Sequence, residues 1–77
     1  MTSSNLPLAI LRKSINKHIK VWLKDGTIIE GLVLSVDEVM NIMIVDAKEV
    51  NDKGDVLRKW GTILLRGSNV LMIQVAE

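Results

Sequence analysis

Apolar and polar residues follow two periods along this chain, and the change from one to the other falls near residue 17. Leu8, Leu11 and Ile15 recur at helical spacing, with Arg12, Lys13 and Lys17 elsewhere on the cylinder. Ser3, Ser4 or Asn5 can cap such a helix, and Pro7 suits a first turn because its missing N–H costs nothing there. The spacing predicts a helix over residues 5–16, ending at Asn16, which tolerates a left-handed cap. Residues 1–4 are polar and expected to be disordered. From Ile19 the period becomes two: Ile19, Val21 and Leu23 alternate with Lys20, Trp22 and Lys24, a strand with one buried face. Asp25-Gly26 is a strong signal for a tight hairpin turn. Further strands are expected over 27–36, 40–50, 56–66 and 69–75. They are separated by the short turn Asp37-Glu38-Val39, the polar loop 51–55 and the turn Gly67-Ser68.

Gly31 and Gly61 stand in the middle of the second and fourth strands. A glycine inside a strand marks a bend, a bulge or a close backbone approach. Two bent strands among five, in so short a chain, imply a strongly curved sheet. The expectation is therefore a mainly β domain: an N-terminal helix, then a five-stranded, strongly bent antiparallel barrel over residues 18–75.

Length and composition add a constraint. The 77 residues make one domain, 1–77, with no second core. A chain this short buries roughly 60–65% of its unfolded surface, so its core is marginal alone. Disulfides, a metal or assembly usually compensate. Cysteine is absent and His18 is the single histidine, which excludes disulfides, thiolate metal sites and multi-histidine centres. Yet 48% of the residues are hydrophobic. Assembly is the remedy left. The last strand, Val70-Leu71-Met72-Ile73-Gln74-Val75, is nearly all apolar, and a sheet edge of that kind invites pairing with another chain. Pairing of strand five with strand four of a neighbour is heterologous, and such contacts close into rings or run on as filaments.

Charge narrows the partners. Ten basic residues face nine acidic ones, a formal net charge of +1, which is not the footprint of a wrapper of duplex DNA. No apolar run approaches the ~18–20 residues of a membrane span. Residues 1–17 lack a signal-peptide core, because Arg12 and Lys13 follow directly on Leu8 to Leu11. An intracellular chain without a membrane partner is expected. With no Cys nucleophile, one histidine and no phosphate-cradling glycine loop, no enzymatic activity and no cofactor is expected.

Two stretches resemble the Sm/Sm-like (LSm) family of RNA-binding proteins. The first is Val21-Trp22-Leu23-Lys24-Asp25-Gly26, then Gly31, then Asp37-Glu38-Val39-Met40-Asn41, then Asp46-Ala47. The second is Ile63-Leu64-Leu65-Arg66-Gly67-Ser68-Asn69-Val70. The resemblance covers residues 5–75. It implies the Sm fold, an SH3-like small barrel, in a ring of six to eight subunits, most often seven. Strand four would pair with strand five between neighbours through Ile63, Leu65, Val70, Leu71, Met72 and Ile73. It implies single-stranded, often uridine-rich RNA around the central pore, with RNA-processing proteins as further partners. The minimal length resembles archaeal homomeric Sm-like proteins, which would be cytoplasmic. Asp37-Glu38 and Met40-Asn41 also resemble the spliceosomal E-type subunit of a heteromeric nuclear ring.

The resemblance places the RNA-binding set at Asp37, Val39, Met40, Asn41, Arg66, Gly67 and Ser68. Asn41 would hydrogen-bond a base edge, since an amide offers donor and acceptor to uracil. Arg66 would lie on a base face and add charge near phosphate. Gly67 would let backbone approach the base. Asp37 would orient the turn or Arg66. Where the family usually has a stacking aromatic ring or histidine, this chain has Val39, and Ser68 stands where an acid is common. Asn41, Asp37 and Arg66-Gly67 are also ordinary turn residues. Met40, Met43 and Met72 read as core or interface filler. Trp22 and Trp60 read as packing residues, and His18 as exposed. Arg12, Lys13, Lys17 and Lys20 form either a basic face where RNA enters or a solvated surface. Two functions follow: an RNA-binding ring, or a ring scaffold for protein partners with weak RNA binding, which Val39 favours.

Overall fold

In the computed structural model, which describes residues 8–75, one helix precedes five strands. These are α1 (Leu8–Lys13), β1 (His18–Leu23), β2 (Ile28–Val36), β3 (Ile42–Val50), β4 (Val56–Leu65) and β5 (Val70–Val75). A short 3₁₀ turn, Gly67–Asn69, joins the last two strands. The expected loose residues 1–4 and the expected helix start at residues 5–7 lie outside the described residues. No described helix is long and apolar enough to cross a membrane.

The helix ends at Lys13 rather than Asn16. Ser14 turns both its hydroxyl and its N–H onto the Leu11 carbonyl, and Ile15 and Lys17 make similar tight bonds to Arg12 and Ser14. The N–H of Asn16 then donates to Val33 in β2 at 2.8 Å, and Asn16 takes the left-handed φ of 70°. The chain is thereby handed from helix to sheet. β3 starts at Ile42 rather than Met40, because Met40 has a φ of 65° and Asn41 is bonded into the preceding turn. The 3₁₀ turn likewise removes Arg66 from β4 and Asn69 from β5.

All strand pairs are antiparallel, in the order β4-β3-β2-β1-β5. β4 and β5 are thus the two edges. The bends fall at the expected glycines. At Gly31 the β2–β3 register shifts between Glu30 and Leu32. A Cβ there would strike the Ile44 side chain and lie 3.0 Å from the Val45 carbonyl oxygen, so the two strands close at this point only without a side chain. The β3–β4 ladder breaks beside it, where Ala47 pairs with Gly61.

Leu11 of α1 lies in one cluster with Ile19, Val21, Ile29, Val33, Ile42, Ile44, Ala47 and Leu65. Full burial of each such aliphatic side chain contributes about 1.5–3 kcal/mol. The alternation read in β1 is real: Ile19 and Val21 are buried while His18 is exposed.

Candidate nucleic-acid interface

Three turns are tied together by hydrogen bonds through the short 3₁₀ connection between β4 and β5. The β2–β3 turn is closed by the Asp37 carboxylate. Its Oδ1 accepts from the N–H groups of Val39 at 3.0 Å and Asn41 at 2.9 Å, and its Oδ2 accepts from Asn41 Nδ2 at 3.0 Å. These bonds hold the Asp37 carboxyl below its ordinary range, the Asn41 backbone N–H being the largest cause. Asn41 then reaches the second turn, where its Oδ1 accepts from the Gly67 N–H at 3.2 Å. The third turn, between β1 and β2, joins through Lys24, whose N–H donates to the Asn69 carbonyl at 2.9 Å.

The Asn41 amide therefore has one allowed orientation. A carboxylate only accepts and a backbone N–H only donates, so Nδ2 must face Asp37 and Oδ1 must face Gly67. One N–H and one lone pair remain for a ligand. The place of Gly67 has a different cause from the expected one. A Cβ at 67 would lie 2.6 Å from the Met40 carbonyl oxygen, so the missing side chain lets two turns touch, and that space is filled by Met40. Asp37 organises its own turn and Asn41. Arg66 and Ser68 are exposed beside this junction, Met40 is half-buried against the core, and Val39 is 73% exposed at the tip of the turn.

The residues expected at a subunit contact divide by burial. Leu65 is a core residue, and Ile63, Val70 and Ile73 pack half-buried against the core. Leu71 and Met72 are exposed, as is Leu64, which strict attention to one face of β4 misses. Val56, Leu57 and Trp60 are exposed on the same edge strand. Trp22 is half-buried, with Lys20 Nζ 5.3 Å from its ring centre.

Residues 9–75 match the model of the LSM domain. The chain belongs to the LSM-domain family. An Sm-like snRNP protein of Thermococcus kodakarensis is 37% identical over 71 residues, covering 92% of each chain. Among solved structures, the Sm protein of Pyrococcus abyssi in complex with a uridine heptamer is 33% identical. It superposes with a TM-score of 0.84 over 94% of this chain and all of its own. A heptameric archaeal Sm protein is 40% identical with a TM-score of 0.79, over 90% of this chain and 98% of its own. Within this LSM fold, Asp37, Asn41 and Gly67 are joined directly, Met40 is joined through Gly67, and Val39, Arg66 and Ser68 flank them on the surface.

Proposed function

We propose that copies of this chain form a closed ring, a heptamer like its relatives, that binds single-stranded, uridine-rich RNA at its inner rim without catalysing a reaction. The observation that carries the RNA reading is the locked Asn41 amide. At a fixed base position its oxygen accepts from uracil N3–H while its free N–H donates to a ring carbonyl. Cytosine would present a bare N3 acceptor to the same oxygen, leaving both groups unpaired. Arg66 supplies the cation beside the turn, for a base face or a phosphate. The ring reading draws support from the two open edges, β4 and β5, and from the exposed Leu64, Leu71 and Met72 on them. Each edge strand carries a row of unshared backbone groups, and antiparallel pairing between copies joins the β5 row to part of the β4 row. The likeness to archaeal Sm-like relatives supports a role in RNA processing and a cytoplasmic setting.

Titration of the assembled protein with short oligouridine and oligocytidine tests the site. Oligouridine binds at low salt, oligocytidine binds at least about tenfold more weakly, and Asn41→Ala or Arg66→Ala weakens the uridine complex by about 1–2 kcal/mol. Unchanged affinity in both variants removes the assignment. The bare, exposed Val39 favours a second reading, a scaffold for proteins with weak RNA binding. Partners that survive nuclease treatment on co-purification would mark that reading.

A further inference from the structure

The strand registers align one polar row across the whole sheet. Gln74 of β5 opposes Lys20 of β1, Lys20 opposes Glu30 of β2, Glu30 opposes Lys48 of β3, and Lys48 opposes Lys59 of β4. Directly opposed residues share a face, so three lysines and one glutamate form a single line. Glu30 sits 3.9 Å from Lys20, the one ion pair among the described residues. Lys48 and Lys59 are exposed and directly opposed, and neither forms an ion pair among the described residues, although Glu30 opposes Lys48 from β2. Like charges opposed across a ladder destabilise it, and an anion seated between them would reverse the sign.

The row crosses the bend of the sheet, and the bend opens a groove of about 440 Å³ there. Gly31, Ala47 and Gly61 are among its lining residues, and a Cβ at Gly61 would meet nothing within 4 Å. Lys48 and Lys59 line it, together with Glu30, Asp46 and His18. The two carboxylates limit the groove to one phosphate, held at the lysine side. Lys48 lies seven residues beyond Asn41 on β3, and Lys59 seven before Arg66 on β4, which places the groove roughly 20 Å from the rim along the strands. β5 has six residues against ten in β4. A neighbour's β5 laid on the apolar half, Ile63 to Leu65, leaves Lys59 outside the shared ladder.

We propose that this groove is a second contact for the RNA that fills the rim, seating one backbone phosphate between Lys48 and Lys59. The identity of the ligand rests on the RNA reading above; the site does not share a residue with it. In the ring the grooves form an outer track for the part of a longer RNA that leaves the pore.

The test titrates the assembled wild-type protein and the Lys48→Ala/Lys59→Ala variant with a short oligouridine confined to the rim and a long one able to reach the groove. Both proteins bind the short one equally. The variant binds the long one several-fold more weakly, and its plot of log affinity against log salt is shallower by about 0.7 for each groove phosphate lost. Lys48→Arg/Lys59→Arg restores both values. The Ala variant unfolds at or above the wild-type temperature, because it loses a like-charge pair, so the loss is not misfolding. Equal affinity and slope for the long oligouridine would overturn the proposal and leave the lysines as edge protection alone. Equal loss of both oligouridines would overturn it too. A wild-type ring that ignores the short oligouridine defeats the rim reading; one that gains nothing from the longer RNA defeats the groove.

Discussion

The turn from Asp37 to Asn41 and the turn from Asn51 to Asp55 share one construction. In each, a side-chain oxygen of the first residue accepts from the N–H groups two and four residues on, at 3.0 and 2.9 Å in the first turn and 2.9 and 3.0 Å in the second. In each, the first N–H donates to the fifth carbonyl and the fourth N–H to the first carbonyl. The fourth residue is left-handed in both, with φ of 65° at Met40 and 88° at Gly54. Glycine enters that region freely, whereas methionine there costs about 1–2 kcal/mol. The fifth residue also differs. Asp55 only receives the Asn51 amide at 3.3 Å, while Asn41 bonds Asp37 and then reaches Gly67 in another turn. The more strained copy is the one that another loop packs on and that carries the amide proposed to read a base. Backbone strain persists where the surroundings over-determine it.

The largest effect separating the two turns is expected from alanine at Gly67, which packs on the first turn, and at Gly54, within the second. In Gly67→Ala the new Cβ meets the Met40 carbonyl oxygen at 2.6 Å, a backbone atom that cannot swing aside. A loss of about 2–3 kcal/mol is expected in urea unfolding. Gly54→Ala meets nothing within 4 Å and bears only the cost of its φ, about 1 kcal/mol. Equal losses would break the comparison. Next, Asn41→Ala and Asn51→Ala should each lose about 1–2 kcal/mol of stability, but Asn41→Ala alone should also lose oligouridine affinity.

A smaller effect concerns acid. The folded-state pKa of Asp37 is lowered, chiefly by the Asn41 N–H. Its ionised form therefore adds stability above the ordinary carboxylate range, and that share is lost as pH falls through the lowered value. Asn51 does the equivalent work without a charge. Asp37→Asn should keep the turn and remove that share of acid sensitivity. The share from Asp25, lowered chiefly by the Thr27 N–H, remains. Urea midpoints followed through the acid range check this; an unchanged profile would contradict it. The smallest expected change is Val39→Tyr, which adds a ring at an exposed tip and should raise oligouridine affinity by about 1 kcal/mol through stacking.

Much of this molecule is legible in its sequence because the decisive signals are local. The alternation from Ile19 to Leu23, the Asp25-Gly26 turn and the glycines at 31 and 61 each act within a few residues, and all five strands lie within two residues of the expected bounds. Asn41, Arg66 and Gly67 are named by the resemblance of their two stretches to the Sm-like family. Contacts between distant turns are not legible in this way. Nothing local in Gly67 says that Met40 occupies its empty side, and nothing in Asn51 marks it as a second Asp37. The opposed Lys48 and Lys59 depend on a register shifted by bulges at Ala47, which alternation alone does not supply. The helix stops short of Asn16 because Ser14 and Asn16 are drawn to tight-turn and tertiary partners rather than to another helical turn.

The central claim is that two unshared strand edges bring copies of one uridine-reading junction around a common pore. Native mass spectrometry with added oligouridine measures this most directly. A single assembly of seven copies of the 8.6 kDa chain, shifted in mass by bound oligouridine, is the predicted result. A folded species of 8.6 kDa that takes up no RNA would contradict it.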